Sequence, residues 1–200
     1  VSSPQGQGMR RMDVVTLLTF VWPQVQAVFP RHPGKLLIVG ANDPVWRGSQ
    51  AAHESIYLNT RLPLVSESGS SALVRELAQV LGRINDKQRS DWITEGFAEY
   101  YAIELVRRAG GMSDERYESL HGKLVKDGQK VSSLRGEQIN PAQVSKAVVL
   151  LQELDREIRL KTRNKRSLDD VLRGAMRLES IDTKEFVQLS ESVIGEASKV

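Results

Sequence analysis

Ala72-Leu-Val-Arg75-Glu76-Leu-Ala-Gln79-Val-Leu81, followed shortly by Asp91-Trp92-Ile-Thr-Glu95-Gly96-Phe-Ala-Glu99-Tyr100-Tyr101, is the stretch on which the reading of this chain turns. The first segment has helical periodicity. Leu73, Leu77, Val80 and Leu81 fall on one face, and Arg75, Glu76, Gln79 and Arg83 on the other, which reads most simply as a solvated polar face. The second segment is also helical but places Glu95 beside a glycine among apolar and aromatic residues. A glycine inside a helix costs about 1 kcal/mol relative to alanine. Such a residue marks close backbone approach by another element. Glu95 and Glu99 are four residues apart and share a face, so their like charges call for a metal, an arginine or solvent nearby.

Outward from these segments, the chain reads as a little β-structure followed by a helical body. Residues 1–9 are rich in Ser, Gln and Gly and are expected to be flexible. Arg10 to Phe29 has apolar residues at helical spacing, with Pro23 expected to kink or split it. Lys35 to Val39 is a short apolar run bounded by Pro33-Gly34 and Gly40, hence a buried strand, and Ile56 to Asn59 a second, with 40–55 as loop between. Helices are expected over about 70–83, 91–108 (closed by Gly110-Gly111) and 113–126. Asn140-Pro141 is a cap and first-turn pair opening a long helix to about Lys161. Ser167-Leu-Asp-Asp170 has capping-box spacing, and Asp182 or Thr183 starts the last helix. The expected fold class is α+β, predominantly α-helical, as one domain over 10–200, with its β portion at about 35–68 and its helical body at about 70–198.

Composition removes several functions. With 40% hydrophobic and 26% charged residues, the chain has the makings of a folded domain rather than a disordered one. It has no cysteine, which excludes disulfides, thiolate metal sites and a cysteine nucleophile. A net charge of +3 over 200 residues is mild, and 6% aromatics is thin for base stacking, so nucleic acid is not an expected partner. The run Lys161-Thr-Arg163-Asn-Lys165-Arg166 closes a long helix, where the dipole favours cations. The longest apolar run, Val14 to Trp22, is too short for a transmembrane segment.

Trp-x-x-Glu-Gly-x-Ala-Glu-Tyr-Tyr resembles the glutamate-ligand helix of the gluzincin metallopeptidases, in particular the glycyl-aminopeptidase-like and aminopeptidase-N-like branch with its peptidase MA-like fold. In that family the preceding helix carries H-E-x-x-H, whose two histidines bind zinc and whose glutamate is the general base. Here the matching pentad is Arg75-Glu76-Leu77-Ala78-Gln79. The resemblance extends to Ile56-Tyr57-Leu58-Asn59, at the position of the family's edge strand beside the cleft. It continues over Ser145-Lys146-Ala147 and Lys165-Arg-Ser-Leu-Asp-Asp-Val-Leu-Arg173, and in all spans about residues 35–175. By that alignment the family's oxyanion-stabilising Tyr position is Val144.

The resemblance thus implies a thermolysin-like architecture with a degenerate zinc site. Glu76 stands at the general-base position as a vestige, Glu95 at the third ligand position, and Arg75 and Gln79 where the histidines would be. Guanidinium has no lone pair to give and an amide oxygen is a poor zinc ligand, so no metal cofactor is expected although the family's is zinc. His32, His53 and His121 lie outside the pentad and read as ordinary loop or surface residues.

Two functions compete: a pseudoenzyme kept as a peptide- or protein-binding or structural module, and an active zinc aminopeptidase using atypical ligands. The first is preferred. Its groove is expected to have Arg75, Gln79 and Glu95 at the floor, Ile56–Asn59 as a wall, and Glu99 nearby, with Arg75 pairing with Glu95 in place of the metal. An extracytoplasmic bacterial setting, periplasmic or secreted, follows from the family's habits and from the opening Val-Ser-Ser without Met. Oligomeric state is not indicated.

Overall fold

A computed structural model describes residues 1–4, 6, 8–136 and 139–200. Gln5 and Gln7, within the expected flexible N-terminus, lie outside the described residues. The elements run α1 (Arg11–Val28), β1 (Leu37–Ala41), β2 (Ser49–Ala52), β3 (Ser55–Asn59), α2 (Ala72–Gly82), α3 (Trp92–Arg108), α4 (Asp114–Gly128), α5 (Pro141–Lys161), α6 (Leu168–Ala175) and α7 (Thr183–Ile194). The chain is α+β, about half helical, with its small sheet near the N-terminus. Where the sequence reads as one domain over 10–200, contacts divide it into two compact units: Val1–Leu81 with Tyr101–Tyr117, and Gly82–Tyr100 with Glu118–Val200.

In the first unit the strand order is β1-β3-β2, with β1 parallel and β2 antiparallel to β3. The parallel register pairs Leu37 with Ser55 and Ala41 with Asn59; the antiparallel one pairs Ser49 with Leu58 and Ala52 with Ser55. Ile38, Ile56 and Leu58 are buried, as the period of two requires. Two expectations are corrected here. The segment 40–55 is not all loop, because Ser49–Ala52 forms β2. Ser-Gln-Ala-Ala contains no β-branched or aromatic residue, so its strand character comes from pairing with β3. Ile56–Asn59 is not an edge strand, because β3 is paired on both sides.

The Asn59 N–H donates to the Gly48 carbonyl at 3.1 Å, which makes 48/59 a hydrogen-bonded pair. By the antiparallel alternation the backbone groups of Ser49 and Ala51 then face the outer edge of β2. Among the described residues no further strand pairs there. On the far side of β1, Ser2 donates to Ile38 O at 2.8 Å and accepts from Gly40 N at 2.9 Å, so the N-terminal segment is tied down at that point.

Helix α1 continues through Pro23 as one element, held by buried Val21 and Val25 on either side. Phe29 packs edge-on to Tyr101, with ring centroids 5.5 Å apart.

The second unit shows why Gly96 is a glycine. A Cβ there would lie 3.0 Å from Ala147 Cβ and 3.4 Å from Leu151 Cδ1, so α3 and α5 touch at closest range. Trp92 packs on Phe186 at 5.1 Å and its Nε1 donates to Thr183 Oγ1 at 3.0 Å. Helices α5, α6 and α7 each begin with a complete capping box: Asn140 with Gln143, Ser167 with Asp170, and Asp182 with Glu185. Asp155 links α5 to α6, accepting from Leu168 N at 2.7 Å with one oxygen and from Arg159 Nε at 2.7 Å with the other.

Candidate functional site

The face of α2 that reads as solvated is not uniformly so. Glu76 is 1% exposed, the most deeply buried charged residue of this helix. A carboxylate removed from water is expensive unless charge and hydrogen bonds replace its hydration. Two groups do so at Oε1: Arg75 Nη1 at 2.8 Å and Ser49 Oγ, which donates at 2.7 Å. Arg75 is half-buried, with its side chain 24% exposed, so the pair lies where solvent begins. Ser49 sits at the start of β2, twenty-seven residues before Glu76, and the outermost strand of the sheet is thereby fastened to the buried carboxylate.

Gln79, one turn beyond Arg75, is half-buried. Glu95 and Glu99 lie on the part of α3 that belongs to the second unit, and both are half-buried. Val144 is half-buried in the first turn of α5 and carries no proton to donate. Arg75 Nη1 donates to Glu76, its immediate neighbour.

The expected wall residues have other work. Ile56, Leu58 and Asn59 are buried. Asn59 spends its side-chain amide on the carbonyls of Asp43 and Trp46, at 2.9 Å each. Asp43 Oδ1 accepts from the N–H groups of Val45 (2.7 Å) and Trp46 (2.9 Å), which hold its carboxyl below the usual carboxylate range, Trp46 contributing most. Tyr57 is covered by Trp46, with ring centroids 4.9 Å apart. Asn59 thus shapes the 43–47 loop, and with Leu58 it also lines a small concavity beside Thr60, Leu62 and Leu73. Ser49 is the site residue that sequence reasoning misses, since nothing local marks a polar strand whose hydroxyl must reach a helix.

Donor chemistry at the pentad does not fit zinc. Position 75 offers a guanidinium already on Glu76, position 79 an amide, and Glu76 a carboxylate already bearing two donors. His53 is exposed in the turn between β2 and β3, His32 is exposed beside Trp22, and His121 Nδ1 shares a hydrogen bond of 2.7 Å with Gln152. Among the described residues no group of three or more His, Cys, Asp or Glu is placed to hold a metal ion, and no helix is long and apolar enough to cross a membrane.

A concavity of about 310 Å³ in the second unit is lined by Trp92, Leu134, Leu154, Phe186 and Val187. Four of its hydroxyls are engaged, Thr183 with Trp92, Ser190 with the Phe186 carbonyl, Ser133 with Arg135 N and Ser198 with Glu157. No protein-family model matches this chain, and a search of curated proteins gives no match.

Proposed function

We propose that this chain is a catalytically inactive relative of the gluzincin metallopeptidases, kept as a peptide- or protein-binding module. The observation that carries the reading is the buried Glu76 carboxylate with Arg75 and Ser49 on it. A general base must reach water or substrate to take a proton, and a metal-dependent one needs a cation beside it. Here the positive charge comes from the arginine at the first histidine position, and no hydrolytic step is assigned to the site. A thermolysin-like architecture and an extracytoplasmic setting belong to the same proposal.

The binding element is β2 rather than Ile56–Asn59. Ser49 and Ala51 turn their backbone groups outward, so an extended peptide can add there by main-chain hydrogen bonds without any metal.

Elemental analysis and a substrate assay on the purified protein test the loss of catalysis. Less than a tenth of an equivalent of zinc is expected, as an order-of-magnitude bound, with no chelator-sensitive aminopeptidase activity. Near one equivalent of zinc accompanied by such activity would overturn the proposal. Replacing Arg75→His together with Gln79→His is expected to create measurable zinc affinity if the backbone is peptidase-like. Peptide binding that survives Ala51→Pro would remove β2 as the binding edge.

A further inference from the structure

Helix α1 carries a surface that the pseudoenzyme reading does not use. From Val14 to Pro30 no residue is charged. One side of the helix is core, with Val14, Val21, Val25 and Val28 buried. The opposite side is uncharged and open: Met12 is 72% exposed, Phe20 45% and Val15 41%, with exposed Thr16 and Thr19 between them and exposed Pro23 and Gln26 beyond. Beside it lies a shallow concavity of about 470 Å³, lined by Leu18, Trp22, Pro33, Leu36 and Leu77 among others. A helix apolar all round is ordinarily covered on all sides, and large open apolar patches mark interaction surfaces.

Charge at the two ends indicates what covers it. Arg10 and Arg11 stand at the start of the helix and Arg31 and Lys35 just beyond its end, all exposed. Cations at a helix N-terminus oppose its dipole, and Arg10 makes no capping hydrogen bond, so these arginines are not there to start the helix. The only acid in the helix is Asp13, which Arg10 engages at 2.7 Å. A second copy of this chain is a poor occupant, because two such helices laid side by side, in either direction, bring cationic ends together. Helix α1 also falls short of what crossing a bilayer requires. Eighteen residues give a rod of about 27 Å with cations at both tips and an uncharged middle.

We propose that the outward face of α1 docks in the plane of an anionic lipid surface, with Met12, Val15 and Phe20 entering the headgroup boundary and the cations at both ends against lipid phosphates. Apolar insertion and electrostatic attraction are each weak alone and bind together. The inference is independent of the state of Glu76.

Vesicle co-sedimentation of the full chain tests it, with phosphatidylcholine vesicles compared with an equal mixture of phosphatidylcholine and phosphatidylglycerol. Binding to the mixed vesicles is expected to be at least about tenfold stronger and to weaken as salt is raised. Met12→Asp with Val15→Asp is expected to reduce it about tenfold or more, and Arg11→Gln with Arg31→Gln to abolish the preference for the anionic lipid. These side chains are exposed, and an unchanged melting temperature checks that the variants fold. No binding to the mixed vesicles at low salt, or binding indifferent to both pairs of substitutions, overturns the proposal. So does a dimer in solution that Met12→Asp dissociates while vesicles go unbound, or an acidic protein partner held by this face with no affinity for lipid.

Discussion

The two units anchor their charged and polar groups in different ways. In the second unit three helix starts carry capping boxes whose members are three residues apart, and exposed Lys87 joins Asp182 and Glu185 at the head of α7. In the first unit two helical carboxylates are buried: Glu104, which is paired with Arg107 and Arg108 within about one turn, and Glu76, which depends on Ser49, far away in sequence, and on the neighbouring Arg75. A cap that fails frays one turn into water. A buried charge that loses its partner has no water to turn to. Glu76 in the first unit therefore depends on a residue far away in sequence, where the caps of the second unit depend on near neighbours.

The sharpest test of that contrast is Arg75→Ala. It leaves Glu76 buried with one donor fewer, and a loss of about 3 kcal/mol is expected in denaturant unfolding. Glu76→Gln with Arg75→Ala is expected to recover much of that loss, and failure to recover would show that Arg75 stabilises mainly by packing. Ser49→Ala comes next, at about 2 kcal/mol, the range for a hydrogen bond to a charged group, and amide exchange in β2 should quicken with it.

Asn140→Ala tests the other side of the comparison. Loss of the α5 cap is expected to cost about 1 kcal/mol, and a loss as large as that of Arg75→Ala would break the contrast.

The smallest effect is in the Lys87 cluster. Glu185 is held below the usual carboxylate range chiefly by Lys87, and Asp182 below it chiefly by the Glu185 N–H. Lys87 is held above its ordinary value chiefly by Glu185. Depressed carboxylates stabilise the fold above their unfolded values and lose that contribution as pH falls through the folded ones. The raised lysine stabilises below its unfolded value and loses its contribution as pH rises through the folded one. Lys87→Met is thus expected to lower the melting temperature slightly near neutrality, with the difference from wild type shrinking at acid and alkaline pH. A difference that stays constant with pH would locate the effect in packing.

The same contrast explains what the sequence discloses. The α5, α6 and α7 starts are legible because Asn140-Pro141, Ser167 to Asp170 and Asp182 to Glu185 carry their partners within one turn. Gly96 is legible as a close approach because a helix-interior glycine is anomalous on its own, and the neighbour proves to be Ala147. The strand β2 is not legible, since Ser-Gln-Ala-Ala is ordinary loop composition and becomes a strand only by pairing with β3. The partners of Glu76 share that obscurity. A polar position on an amphipathic helix looks the same whether water or Ser49 lies opposite. The misreading of Ile56–Asn59 as an edge strand has the same origin, because the strand that displaces it from the edge is the unmarked one.

The order β1-β3-β2 also sets a sequence of events in time. The β2–β3 hairpin closes across the short turn at His53 and Glu54, which is a microsecond process for a chain free of other constraints. The parallel pairing of β1 with β3 requires a longer loop to close, and Ser2 can join β1 only after crossing the length of α1. Ser2 holds β1 by two backbone hydrogen bonds, and among the described residues no other pairing lies on that side. When it leaves, Ile38 and Gly40 lose their outer backbone partners, and β1 becomes an open template for another strand. A protease that trims the first few residues would create a sticky sheet edge without touching the core, and Gly40, whose N–H is bonded to Ser2, is the amide at which hydrogen exchange would report that release first.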